Sequence, residues 1–521
     1  MSILKLKDVS WGKTDAKNEF LDDSKENQQR FMRSFLTPDN FRLEDFSSGE
    51  RFFITGLKGS GKTALLRYIN CAIGHAPKTL SHFILFKSDF SKVDKDKLTN
   101  AAHWSLSLTE DKENLDDFEN VWEWYFHRKI VKLCEDNNFQ LFENNTDWKR
   151  YKAYILSPVE TADGLFKTFP KLKRGKMKVK VDAGPIGIEL DGEFEPGSTS
   201  VKQVLFSSMV ERVKDLFKKL KPLNTKLYLF VDELELSYTS RKQFDRDVKM
   251  IRDLIVTIYK LNECSRKKSF GLFVVTGIRS EVLTSVGSLG KEINKPVADF
   301  GINLKWMQAG GDILSHPLLK IVQKRLLIAK GDTSLVGDDA ALIKVWNEFF
   351  PEQLFGVSAG EAILNKTWYR PRDIVRLFSL VQQYSPDSEM FTQQSFEKIN
   401  KDYSRECWTE SAEELITKYS KDEIAGIEKI LMTIECPFSI DQLIEHANKQ
   451  AQYYQCVESF LEKYSHGELL EHLYRLGIIG NVGKHYRFAF RGDDQLNITQ
   501  NMSVHNALWN YFSITRRFHN E

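Results

Sequence analysis

The 521-residue sequence has little that would place it outside a reducing, aqueous compartment. Its six cysteines, Cys71, Cys134, Cys264, Cys407, Cys436 and Cys456, form no C-x-x-C pair and have no histidine at zinc spacing. That argues against a disulfide framework and a zinc ribbon, and predicts reduced, mostly buried thiols in a cytoplasmic protein. No stretch reaches the roughly 18 apolar residues of a membrane helix, and residues 1–13 lack the apolar centre of a signal peptide, so neither membrane insertion nor secretion is expected. The formal net charge is only +2, which gives no global electrostatic case for nucleic acid or an anionic membrane. Any DNA contact has to come from a local patch. No repeat array, nuclease signature, Ser-His-Asp set or Cys-His pair stands in a local motif.

What is present describes an ordered protein, with 41% hydrophobic and 28% charged residues. The chain is too long for one core, so about three domains are expected. Residues 52–66, FFITGLKGSGKTALL, fit G-x-x-x-x-G-K-[ST] from Gly56 to Thr63. Phe52, Phe53 and Ile54 read as a buried strand, and Ala64 to Ile69 as the first turns of a helix. Glycines at Gly56, Gly59 and Gly61, with Ser60 between them, let backbone N–H groups turn around an anion at the positive end of that helix. In such a loop Lys62 reaches the β and γ phosphates of ATP, and the Thr63 hydroxyl ligates Mg²⁺.

A second run, Leu227 to Val231, is apolar and β-prone and ends on Asp232-Glu233. Asp232 is placed to hold Mg²⁺, and Glu233 to polarise a water for attack on the γ-phosphate, which argues for hydrolysis rather than binding alone. A third run, Phe270 to Val275, ends on Thr276-Gly277-Ile278-Arg279. In the additional-strand P-loop ATPases, which these motifs resemble, this strand lies between the other two and carries a first sensor. That resemblance implies that Thr276 or Arg279 reads the γ-phosphate.

About 170 residues separate the first two strands, far more than one crossover needs. They contain a strand at His82 to Phe86 and an aromatic helical stretch, Phe118 to Cys134, whose Trp122, Trp124, Tyr125 and Phe126 read as core rather than a base-stacking platform. They also carry a lysine-rich alternating run, Lys171 to Val181, a turn at Gly184-Pro185 and an acidic alternating run, Ile186 to Glu193. This predicts a β-hairpin with cross-strand charge pairing; contact of its basic strand with nucleic acid or a protein is the alternative. Ile302 to Trp306 is expected as a fifth strand, and helices dominate from His316.

Within those helices stands Arg370-Pro371-Arg372, with proline where a helix start tolerates it. It resembles the lid of AAA+ and STAND ATPases, where a Pro-Arg forms the second sensor; Arg372, or Arg370, would then close on the nucleotide. Cations at a helix N-terminus also demand a facing anion. The last hundred or so residues offer three amphipathic helices, at Asp422 to Ile434, from Ser439 through Ile444, and at Glu468 to Leu476, then an alternating run Tyr486 to Arg491. This order resembles a winged helix, and the weakly basic third helix disfavours a phosphate grip. Val504-His505-Asn506 follows the wing, where STAND ATPases carry Met-His-Asp; the likeness implies that His505 touches the β-phosphate of ADP. Residues Trp11 to Glu19 precede the core, where related ATPases place an adenine-contacting segment.

Together these motifs resemble bacterial P-loop ATPases related to STAND and origin-recognition (Orc-type) AAA+ proteins, a group often linked to defence against phage. The resemblance implies an α/β P-loop NTPase of the additional-strand class, with a parallel sheet, a helical lid and a C-terminal winged helix. The expected domains are residues 1–310, with an insertion at about 91–200, then 311–410 and 411–521. The implied function is an ATP-driven, Mg²⁺-dependent switch. Its partners would be copies of itself or a separately encoded effector, with a neighbour's site completed by Arg241, Arg246 or Arg252. A DNA-gripping loader is the alternative.

Overall fold

The computed structural model describes residues 4–20, 24–74, 76–105, 118–158, 170, 172, 176–182, 199–237, 240–287, 290–308, 310–483, 486–493 and 495–517. The chain divides into two compact units: one holds residues 39–58 and 62–304, and the other holds residues 1–38, 59–61 and 305–521.

The first unit is built on β1 (Phe53–Gly56), β2 (Thr79–Leu85), β3 (Lys176–Asp182), β4 (Thr199–Leu205), β5 (Lys226–Leu234), β6 (Leu272–Arg279) and β7 (Gly301–Asn303). Five of these strands form one sheet in the order β2-β5-β6-β1-β7, every neighbour parallel. Near-continuous apolar runs such as Leu227 to Val231 suit such a sheet, because helices cover both faces. The strand carrying Thr276 does lie between those carrying the glycine loop and Asp232, with Thr276 beside Phe53 on one side and Val231 on the other. This order, with the loop joining β1 to the helix Lys62–Gly74, is the α/β P-loop NTPase fold of the additional-strand class.

Two sequence expectations shift. β7 stops at Asn303, and Trp306 belongs with Ser60 to the second unit, where its Nε1–H donates to the Ser60 carbonyl at 2.7 Å. The lysine-rich strand forms, but its antiparallel partner is β4, with Lys178 opposite Gln203 and Lys180 opposite Val201. The turn and acidic run expected at residues 183–193 lie outside the described residues. Trp122, Trp124 and Phe126 are core, as expected, on the helix Glu119–Asp136.

The second unit is helical. Pro317–Ala329, Asp339–Phe349, Pro371–Tyr384 and Gln393–Leu415 enclose a core that includes Leu6, Val9 and Trp11, the last stacked on Phe378 at 4.8 Å. Four helices follow, Lys421–Leu431, Ile440–Ala451, Gln455–Lys463 and His466–Arg475, one more than the sequence reading has. Ser439 caps the second of them, as expected, within a capping box completed by Gln442. A three-stranded antiparallel sheet then forms, with Ile479–Val482 between Tyr486–Arg487 and Met502–Val504. The run expected to continue as strand to Arg491 becomes a 3-10 turn at Ala489–Arg491.

Candidate nucleotide-binding site

The loop after β1 turns through Gly59 at φ +78° and Gly61 at φ +97°, left-handed values that a side chain would strain. Lys62 is buried, and its Nζ donates to the carbonyls of Gly56 and Leu57 at 2.8 Å each. These carbonyl bonds hold the ammonium at the loop. Asp232 sits at the end of β5, 4% exposed, and accepts a hydrogen bond from the Thr63 side chain. Its Oδ2 is buried with no hydrogen-bond partner among the described residues. Burial raises the Asp232 pKa, opposed by Thr63, the Glu233 N–H and Lys62. Room for this carboxylate comes from Gly277, where a Cβ would lie 3.3 Å from Asp232 Oδ1 and 3.3 Å from Leu66 of the loop's helix.

A buried carboxylate oxygen without a donor costs about 1–3 kcal/mol. Thr63 and Asp232 together offer the hard oxygen donors that Mg²⁺ prefers. Thr276 on β6, opposite Val231, also has a buried Oγ1 with no partner among the described residues.

Glu233 takes a left-handed backbone, φ +59°, inside a register shift of β5 against β6 between Val231 and Leu234. Such a conformation costs a non-glycine residue about 1–2 kcal/mol. Its carboxylate is held by Ser88: Oε2 accepts from the Ser88 N–H at 3.0 Å and from its Oγ–H at 2.5 Å. Ser88 lies on the short turn of helix Phe86–Asp89 directly after β2, the strand beside β5. No motif marks this serine, and sequence reading misses it. The parallel β2–β5 register, which sets Leu85 against Asp232, is what delivers it.

Arg279 at the end of β6 pairs with Glu235, which also accepts from Lys87 at 2.8 Å. Burial would raise the Glu235 pKa, but these cations hold it below the ordinary value. Arg246 and Arg252 each clasp a fully buried aspartate: Arg246 donates to Asp247 at 2.9 and 2.8 Å, and Arg252 to Asp253 at 2.7 and 3.0 Å. Arg241 differs, with an 84% exposed side chain and an i,i+4 pair to Asp245 at 3.1 Å.

In the second unit, Arg370 precedes Pro371 and pairs with Glu414 at 3.2 Å, while its Nε is buried without a partner among the described residues. Arg372 donates to Glu410 at 2.7 Å and to the Thr14 carbonyl at 3.0 Å, and its N–H points to the Gly59 carbonyl at 3.4 Å. Ser60 Oγ, in the same unit, is buried with no partner among the described residues. The anions that this cationic helix start requires are therefore Glu410 and Glu414 of the helix Gln393–Leu415. Burial would raise the Glu410 pKa, but Arg376 and Arg372 hold it well below the carboxylate range. His505 is fully engaged: Nδ1 accepts the Ala507 N–H at 3.2 Å, which leaves Nε2–H to donate to the Thr367 carbonyl at 3.2 Å. Burial pushes its pKa down to about 3.

Residues 317–410 match the FunZ-associated C-terminal helical domain family. Two solved structures of Thermotoga maritima RuvB, one described as a Holliday junction branch migration motor and the other a variant of it, are similar to the chain. Each is 11% identical over 89% of this chain and 92% of its own, with TM-scores of 0.29 and 0.30. No curated protein matches. Among the described residues, no helix is long and apolar enough to cross a membrane.

Proposed function

We propose that the chain is an ATPase of the AAA+ type that works as a molecular switch. The single observation that carries this is the Oδ2 of buried Asp232, which has no donor among the described residues, beside Thr63 and the loop lysine. A folded protein tolerates such an oxygen where a cation completes it. Lys62 would trade its two carbonyl acceptors for phosphate oxygens, and Thr63 with Asp232 would hold Mg²⁺. The metal supplies charge neutralisation on the β and γ phosphates. Glu233 would orient the attacking water, its direction set by Ser88, and Thr276 or Arg279 would read the γ-phosphate. Arg372 and Arg370 would contribute from the lid, and Gly56, Gly59, Ser60 and Gly61 would form the cradle.

The C-terminal module fits a winged helix that contacts protein rather than duplex, since its helix His466–Arg475 ends on a single arginine. His505, with both nitrogens and one ring face in use, reads as a post of that module rather than an ADP ligand. A defence role acting through a separate effector, in a homo-oligomer or mixed complex, is the biological setting we infer from the motif set; a DNA-loading ATPase is the second reading. Calorimetric titration of ATP tests the site: Mg²⁺ should tighten binding to the wild type and not to Asp232→Asn. Equal tightening in both would remove Asp232 from the site.

A further inference from the structure

The segment 365–370, which leads into the lid helix Pro371–Tyr384, is gripped from one side by the C-terminal module. Trp368 is 4% exposed, and its indole stacks on the His505 ring at 4.0 Å and 15°. Its Nε1–H donates to the Gly477 carbonyl at 2.8 Å, a residue where a Cβ would come within 2.9 Å of the same indole. His505 in turn holds the Thr367 carbonyl, and Arg491 donates to Asn365 at 3.0 Å and lies over the Tyr369 ring at 5.1 Å. Tyr369 is left-handed, φ +52°, so the chain reverses sharply between the gripped tryptophan and Arg370. From there the Trp368 N–H donates to Asp373 at 2.9 Å inside the lid helix, and Arg372 reaches Gly59.

We propose that Trp368 is a positioning residue: clamped by His505 and Gly477, it sets the arginines Arg370 and Arg372 at the glycine loop and so ties nucleotide turnover to the posture of the C-terminal module. This rests on the ATPase reading above. Two features make the clamp suited to coupling rather than to packing alone. The stack joins residues 137 positions apart in sequence, one from each side of the lid-to-module junction. The left-handed Tyr369 also stores strain that the clamp maintains, so releasing Trp368 frees the helix start to turn. A partner that pulls on the strands Ile479–Val482 or Met502–Val504, which flank Gly477 and His505, would therefore move the arginines.

The test is a double-mutant cycle on steady-state ATP turnover, using the full chain with Trp368→Leu, Arg372→Ala and the pair, each with a melting curve. Trp368→Leu should lower turnover about twofold to thirtyfold, the range of such couplings, and should lower it no further once Arg372 is alanine. Its effect on melting temperature should be the same in both backgrounds, because packing does not depend on Arg372. Where Trp368→Leu fails to fold, Trp368→Phe, which keeps a smaller aromatic ring for the stack on His505 and removes the bond to Gly477, enters the same cycle. Equal fold-losses in the two backgrounds, or an active Trp368 variant with unchanged turnover, would overturn the clamp. A Lys62→Ala control separates the readings: if it turns over ATP like wild type, the ATPase reading fails and takes the clamp with it. If it is dead while Trp368 and Arg372 act additively, only the clamp fails.

Discussion

Three arginines follow β5, and the structure gives them different fates that alanine substitution should separate. Arg252→Ala deletes the two hydrogen bonds, 2.7 and 3.0 Å, to a fully buried Asp253 carboxylate. Removing one partner of a buried ion pair costs about 3–5 kcal/mol. Lys291 and the Phe118 N–H still reach Asp253, each at 2.9 Å, so the low end of that range, about 3 kcal/mol, is expected. Arg246→Ala should cost a similar amount, since Asp247 is then left with Lys95 at 3.4 Å and the Ser237 N–H at 3.1 Å among the described residues. Arg241 pays almost nothing to its own fold: an exposed i,i+4 pair is worth about 0.3–0.5 kcal/mol. In a unit of this size, 3 kcal/mol lowers Tm by about 6–12 °C. Scanning fluorimetry should therefore find Arg246→Ala and Arg252→Ala destabilised and Arg241→Ala melting with the wild type. In an ATPase assay Arg241→Ala should lose turnover, and mixing it with Lys62→Ala chains, which keep Arg241, should restore part of it. A silent Arg252→Ala would refute the buried-pair argument. Undiminished turnover in Arg241→Ala would remove it as the residue that completes a neighbour's site.

Glu233→Gln should bind ATP as the wild type does and turn it over about 10²–10⁴-fold more slowly, by quenched-flow phosphate release, if Glu233 is the proposed general base. Acid should unfold the chain in a defined window. His82, His316 and His472 are held by burial at about 4 and His505 at about 3, whereas the unfolded imidazole titrates at about 6.5. Their neutral burial thus contributes stability that is whole above about pH 6.5 and is lost progressively as pH falls toward the folded values. Tm measured from pH 7 to pH 4 should fall, and His505→Gln should flatten the fall; a level Tm across that window would contradict it.

The central sheet was legible in the sequence because parallel strands buried on both faces are nearly unbroken apolar runs, and each of the three motif-bearing strands ends on the residues that mark it. β4 was not, because its run Thr199 to Leu205 mixes Lys202 and Gln203 into the apolar positions, although Pro196-Gly197 just before it is a turn signal. The helix Gln455–Lys463 escaped because its N-cap is Tyr454, without the Ser and Glu or Gln that announce its three neighbours. Within the site, residues adjacent to glycines or to a strand end could be read directly. Ser88, Glu410 and Trp368 could not: each matters through a partner far away in sequence, Glu233, Arg372 and His505, and only the register or the packing brings them together.

The loop and the Asp232-Glu233 strand end are proposed above to form an ATP-hydrolysing site. Phosphate release from ATP by the purified chain, with Mg²⁺ and with EDTA, beside Lys62→Ala, tests it most directly. Turnover should require both Mg²⁺ and Lys62. Turnover that survives EDTA or Lys62→Ala, or a wild-type chain that neither binds nor hydrolyses ATP, would contradict it.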